Sequence, residues 1–89
     1  MKKYFTKEYN EKRIKKEIEL QNKYINEKGE DYQTIIFEGG YIVVFYYNNG
    51  KMKVDIYDFE VDNYSLVGTF DYEDGKNFIQ KNKKFDLKG

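Results

Sequence analysis

Carboxylates are the side chains of this sequence with the most scope for chemistry. Asp55, Asp58, Glu60 and Asp62 lie in DIYDFEVDNY, and Asp71, Glu73 and Asp74 lie in DYEDG. Carboxylate pairs can hydrolyse glycosides when one acts as acid and the other as base or nucleophile. Sixteen acidic residues in 89 make some close pair unavoidable, so proximity alone singles out none. The chain has no histidine and no cysteine, which removes the commonest general base, the thiol nucleophile and most zinc sites. Ser65 is the only serine and has no histidine to activate it. EGGY and NNGK lack the spacings of phosphate-binding loops. The reading is therefore a non-enzyme with no catalytic residue and no cofactor.

The same acids are hard oxygen donors of the kind Ca²⁺ and Mg²⁺ prefer. DYEDG has its glycine one place early for an EF-hand loop and no glutamate six residues beyond it. On an extended strand, Asp58, Glu60 and Asp62 would follow one another at about 6.6–7 Å, too far apart to share one ion. No metal site is expected.

That step instead resembles the spacing of successive phosphates along a nucleic-acid strand. Alternation puts Asp58, Glu60 and Asp62 on one face, with Tyr57, Phe59 and Val61 on the other. A hairpin would bring Asp71, Tyr72, Glu73 and Asp74 back toward Asp55. The expectation is an acidic ridge with Tyr57, Tyr64 and Tyr72 at its rim, suited to a basic groove on a larger, nucleic-acid-handling protein. Acids on an exposed strand also prevent edge-to-edge aggregation, a role that needs no partner.

Charge is segregated along the chain although it sums to zero. Residues 1–30 carry nine Lys/Arg against six Glu, residues 31–75 two Lys against nine Asp/Glu, and residues 76–89 five Lys against Asp86. Such asymmetry can steer association, or can reflect basic helices lying on an acidic sheet. Lys12, Arg13, Lys15 and Lys16 cluster near the start, and Lys81, Lys83 and Lys84 near the end. They support an alternative reading, a nucleic-acid-binding accessory protein acting through its N-terminal helix. The interleaved glutamates count against that.

The elements that must position these groups follow from periodicity and turn chemistry. Residues 6–28 predict a helix capped by Thr6 and stopped by Gly29. Ile14, Ile18 and Ile25, widened by Leu20 and Tyr24, are expected to face the core. Pairs such as Glu8–Lys12, Glu11–Lys15 and Glu19–Lys23 would add small support. Such a helix spans about 34 Å, against about 23 Å for a seven-residue strand, so its sparsely apolar first half is expected to overhang the sheet. YQTIIF, YIVVFYY, the stretch from Lys51 and YSLVGTF predict four antiparallel strands. Gly39-Gly40 and Asn49-Gly50 would be the first two turns, the latter suited to type I′. That turn opposes Tyr47 to Met52, Phe45 to Val54 and Val43 to Ile56 on a core face. Ile42, Val44 and Tyr46 then crowd the second face, which calls for a cover: the C-terminal segment, a partner or a second copy. Apolar residues change phase between Ile56 and Tyr57, predicting a β-bulge near Ile56–Asp58 or a strand whose far end leaves one core and joins another. Asp71 would cap a short helix at about 72–83, with Phe78 and Ile79 inward and Gly75 unfavourable.

The fold class expected is α+β, with a long N-terminal helix packed on a four-stranded antiparallel meander sheet and a short C-terminal helix. It is read as a two-layer arrangement and as one interaction domain over residues 1–89. Two early lysines are followed by no apolar stretch, and no run is long enough to cross a membrane, so a cytoplasmic protein of a bacterial host cell is expected. The absence of cysteine fits a reducing compartment. Size, composition and the acidic-aromatic stretch resemble, in style and through no specific motif, small phage-encoded inhibitors such as anti-CRISPR and other anti-defence proteins. The expected function is a protein-binding inhibitor that occupies a basic surface of a nucleic-acid-processing effector. A homodimer through the second sheet face is the further expectation.

Overall fold

The computed structural model of the chain describes residues 6–59 and 65–85. Helix α1 spans Lys7–Lys28, and a single 3₁₀ turn, Gly29–Asp31, leads into the sheet. Strands β1 (Tyr32–Glu38), β2 (Tyr41–Asn48), β3 (Lys51–Asp58) and β4 (Leu66–Asp71) form an antiparallel meander in the order β1-β2-β3-β4. Helix α2 spans Tyr72–Asn82. The α+β class and the element order agree with the sequence.

Local chemistry sets the boundaries. The Thr6 hydroxyl accepts from the Tyr9 amide at 3.0 Å, and Gly29 ends α1 at φ 58°. Asn49 and Gly50 both have positive φ, 55° and 79°, as a type I′ turn demands. This turn fixes the β2–β3 register: Tyr47 opposes Met52, Phe45 opposes Val54 and Val43 opposes Ile56. Gly39 and Gly40 turn β1 into β2 with φ 63° and 97°. A Cβ on Gly39 would lie 2.7 Å from the Lys83 Cβ, because residues 83–85 run over this turn and the Lys84 amide donates to the Gly39 carbonyl at 2.8 Å.

The two-layer expectation needs correction, because a helix lies on each face of the sheet. On one face Ile42, Val44, Tyr46, Tyr57 and Phe59 pack with Phe37 beneath Leu20 and Tyr24 of α1. On the other, Tyr41, Val43, Val54 and Ile56 pack beneath Ile79 of α2, with Phe70 and Phe78 against them. The face of Ile42, Val44 and Tyr46, expected to need a cover, is thus covered by α1 with Phe85 packed against it, and a second copy is not needed there. Each such burial contributes roughly 1.5–3 kcal/mol. Helix α1 lies chiefly over β1 and β2, and α2 chiefly over β3 and β4. The cover is therefore diagonal, half of each face.

The apparent phase change in β3 has the same origin. β3 pairs with β2 in unbroken register from Lys51 to Asp58, so Val54 and Ile56 face α2 while Asp55 and Tyr57 face α1. The irregularity belongs to the β3–β4 ladder. There Ile56 opposes Gly68 and Tyr57 opposes Leu66, leaving Val67 as the extra residue.

Gly75 is also explained. It is buried where α2 crosses β3, and a Cβ there would come within 2.2 Å of the Val54 Cγ2. The glycine lets the helix approach the sheet more closely than any other residue allows.

The core-facing side of α1 differs from expectation. Ile14, Ile18 and Ile25 are 46%, 52% and 44% exposed. Leu20 and Tyr24 are buried instead, and the first half is held by Tyr9, whose ring meets those of Phe59 and Phe37 edge-on at 5.0 and 6.2 Å. That half does not simply overhang. Tyrosine and arginine supply what isoleucine was expected to supply, because both combine a large apolar body with a polar tip. The i,i+4 ion pairs formed on α1 include Lys7–Glu11, Arg13–Glu17 and Lys23–Glu27, with the cation first rather than the acid first.

Candidate functional site: a closed carboxyl clamp and an open groove

The structure divides the expected acidic ridge among three environments. Asp55 is buried, 7% exposed, on the α1 side of β3. Its carboxyl group accepts from the Tyr24 hydroxyl, from the Tyr46 hydroxyl at 2.8 Å and from the Thr69 hydroxyl at 2.7 Å. Tyr24 and Tyr57 share a further hydrogen bond at 2.6 Å. Hydroxyls from α1, β2 and β4 therefore meet at a single carboxyl group on β3, with Tyr57 of β3 bonded to Tyr24 beside it. A buried polar group is tolerated only when it is hydrogen-bonded, and here it is bonded on both oxygens. Asp55 and Tyr57, both expected to meet a partner, serve instead as an internal clamp between α1 and the sheet.

Burial, reinforced by the Asp55 hydrogen bond, holds the Tyr24 phenol well above its ordinary range. Burial first, then Asp55, pushes Tyr46 up to about 12. Both tyrosines stay protonated donors at any ordinary pH. With the Tyr24 hydroxyl donating to Asp55, its oxygen accepts from Tyr57, so the hydroxyls form a chain ending on one carboxyl group, an arrangement that fixes geometry.

Asp58 is half-buried, and its carboxylate takes the Lys84 ammonium at 2.6 Å; the same ammonium lies 5.0 Å over the Tyr41 ring. This pair, with the contact at Gly39, fastens residues 83–85 over the β1–β2 turn. Glu60, Asp62 and Tyr64 lie outside the described residues.

The third group is exposed. DYEDG does return toward the Asp55 end, since Asp71 opposes Lys53 across the β3–β4 ladder. Asp71 occupies the N-cap position of α2, yet its side chain caps nothing there. It bonds the Lys53 ammonium at 2.6 Å instead, and that neighbour holds its carboxyl below the usual range. Glu73 and Asp74 sit in the first turn of α2, where the helix dipole favours negative charge. Tyr72 is 45% exposed, with the Lys76 ammonium 5.7 Å from its ring and the Phe45 ring 6.1 Å away.

Tyr72 also walls the feature that sequence reasoning missed. Because α2 sits over β3 and β4, the same face of β1 and β2 is left partly open. An open groove of about 260 Å³ runs between α2 and these strands. Ile36, Val43, Phe45 and Ile79 form its apolar floor and side, and Glu38, Tyr72 and Lys76 its rim. The signal for it was available only indirectly. A helix of 11 residues, half the length of α1, cannot cover a four-stranded face that is apolar at Ile36, Val43, Phe45 and Val54.

The basic cluster on α1 is likewise divided. Arg13 lies half-buried with its guanidinium 4.8 Å over the Phe37 ring and 2.8 Å from Glu17. Lys12 and Lys15 are exposed, and Lys16 is partly buried. The four do not form one cationic surface. Among the described residues no group of three or more acids is placed to hold a metal ion, and no helix is long and apolar enough to cross a membrane.

No family model, curated protein or solved structure gives a significant match to this chain.

Proposed function

We propose that this protein is a non-enzymatic protein-binding module whose partner contact is the groove beside α2. The observation that carries this reading is the incomplete cover of an apolar sheet face. Ile36, Val43 and Phe45 line a concave surface of about 260 Å³, rimmed by an exposed tyrosine and by charges of both signs. Concave apolar surfaces with a few polar groups at the rim are the usual form of a binding site. Tyrosine beside such a surface is the residue type that dominates binding energy.

The groove's occupant is a partner segment that presents one apolar side chain flanked by lysine or arginine. Charge supports this choice. Glu38 stands on the rim, and the first turn of α2, which also supplies Tyr72, carries Glu73 and Asp74, against Lys76 in the groove lining. The sign of the partner's charge is thus the same as for the acidic ridge, but the apolar anchor moves to the opposite face of the sheet. Occupying a basic surface of a larger protein, as an inhibitor would, is one use of such a module.

Peptide display on the immobilised full chain tests this. Selected sequences should carry an aliphatic or aromatic residue flanked by basic ones. Ile36→Glu, which puts a charge into the groove floor, should weaken their binding by about tenfold or more. Glu60→Lys with Asp62→Lys should leave it within about twofold. The reverse pattern would return the partner site to the acidic stretch and sink the groove.

A further inference from the structure

The second exposed apolar surface lies on α1 and is independent of the groove. Ile14, Ile18 and Ile25 lie on one stripe, about 130° round the helix from Tyr9, Arg13, Leu20 and Tyr24, which face the sheet. Single exposed isoleucines are ordinary, but three on one stripe of one helix are not. Their spacing extends along the whole helix. Lys7, Glu11, Ile14, Ile18, Gln21, Ile25 and Lys28 follow one another at alternating steps of four and three, the spacing of a coiled-coil seam. An open dip lined by Ile14, Ile18 and the flanking Glu11, Lys15 and Glu19 lies on this stripe, placed as a hole is for a facing knob.

We propose that this stripe is a self-association surface, at which the α1 helices of two copies pack antiparallel with Glu11 of each against Lys28 of the other. Charge decides both the occupant and its direction. A parallel pair would set Glu11 against Glu11 and Lys28 against Lys28. An antiparallel pair centred between Ile18 and Gln21 sets Glu11 against Lys28 at both ends, Ile14 against Ile25, and Ile18 against Gln21. The stripe is thus complementary to itself under a two-fold axis, which is what an isologous interface requires. Among the described residues of one chain Glu11 pairs with the exposed Lys7 at 3.9 Å, and the Lys28 ammonium rests 4.7 Å over the Tyr46 ring. Both contacts are weak enough to give way to a partner charge. With three isoleucines per copy the interface is small, so the dimer forms with a Kd on the order of micromolar or weaker.

Sedimentation equilibrium of the full chain tests the proposal, with circular dichroism as the check on folding. The wild type should show a concentration-dependent monomer–dimer equilibrium. Ile18→Lys changes an exposed position, so it should stay folded and raise the dissociation constant by about tenfold or more. Glu11→Lys should weaken the dimer, and Glu11→Lys with Lys28→Glu should restore it. The chain has no cysteine, so disulfides report register directly. A mixture of Ile14→Cys and Ile25→Cys proteins should cross-link to each other faster than either does to itself. A wild type that stays monomeric at every concentration overturns the proposal, as does an Ile18→Lys dimer of unchanged affinity or a double charge swap without recovery. Faster self-cross-linking of Ile25→Cys would show a parallel pair and overturn it equally. None of these outcomes bears on peptide binding in the groove.

Discussion

The two faces of the sheet differ in what they bury and in which strands they leave open. Under α1 the buried set is rich in oxygen: Tyr24, Tyr46 and Tyr57 surround Asp55, with Thr69 at the edge. Under α2 it is hydrocarbon and aromatic, with Val43, Val54, Ile56 and Ile79 at its centre. On the polar face α1 closes over the carboxyl group and leaves Leu66 and Thr69 of β4 exposed. The apolar face is left open along β1 and β2. The contrast has a physical basis. A buried carboxyl group with an unmet hydrogen bond is costly, so the cluster around Asp55 must be complete or not exist. A partly covered apolar face only forgoes some burial energy, and a partner can supply the remainder.

The largest effect should come from opening the cluster around Asp55. Asp55→Ala removes the common acceptor of three hydroxyls, and urea denaturation should show a loss of about 3 kcal/mol or more. A loss below about 1 kcal/mol would mean that the hydroxyls find other partners and that the clamp adds little.

On the apolar face the corresponding change is Gly75→Ala, which drives a methyl group to within 2.2 Å of the Val54 Cγ2. Overpacking of this kind costs about 1–3 kcal/mol. Val54→Ala removes the obstructing methyl, so the double variant should be more stable than the sum of the single losses. Strict additivity in this cycle would place the strain elsewhere.

A smaller and graded effect is expected at high pH. Tyr24 and Tyr46 titrate above their ordinary value when folded. Between that value, near 10, and about 12 for Tyr46, the unfolded chain releases protons that the folded chain keeps. Stability is therefore full below pH 10 and falls as pH rises above it. Tyr46→Phe should remove part of the fall seen in denaturation midpoints across this range, with the remainder left to Tyr24.

Much of the fold was legible because its signals are local. Asn49-Gly50 set the β2–β3 register, Thr6 and Gly29 bounded α1, and the crowding of Ile42, Val44 and Tyr46 announced a covered second face. The inner side of α1 was not legible. Hydropathy ranks isoleucine far above tyrosine and arginine, yet Ile14, Ile18 and Ile25 lie outside while Tyr9, Arg13 and Tyr24 turn in. What reverses the ranking is a hydrogen bond from Tyr24 to an acid 31 residues away, and no local pattern encodes that. Asp55 was misplaced for the same reason. Alternation put it on a strand face correctly, but whether that face met water or hydroxyls depended on the helix above. The groove depended on the diagonal placement of two helices, which only the tertiary structure specifies.

The most direct test of the closed cluster and the open face is tyrosine-selective chemical labelling of the folded chain, read residue by residue by mass spectrometry. Tyr72 and Tyr47, 45% and 39% exposed, should label fast, while Tyr24, Tyr46 and Tyr57, at 2%, 5% and 8%, stay protected. In Asp55→Ala the three should lose protection together, with Tyr41, on the α2 face, unaffected. Labelling of Tyr24 and Tyr46 at the rate of Tyr72 in the wild type would contradict the account, because the carboxyl clamp would then not be closed.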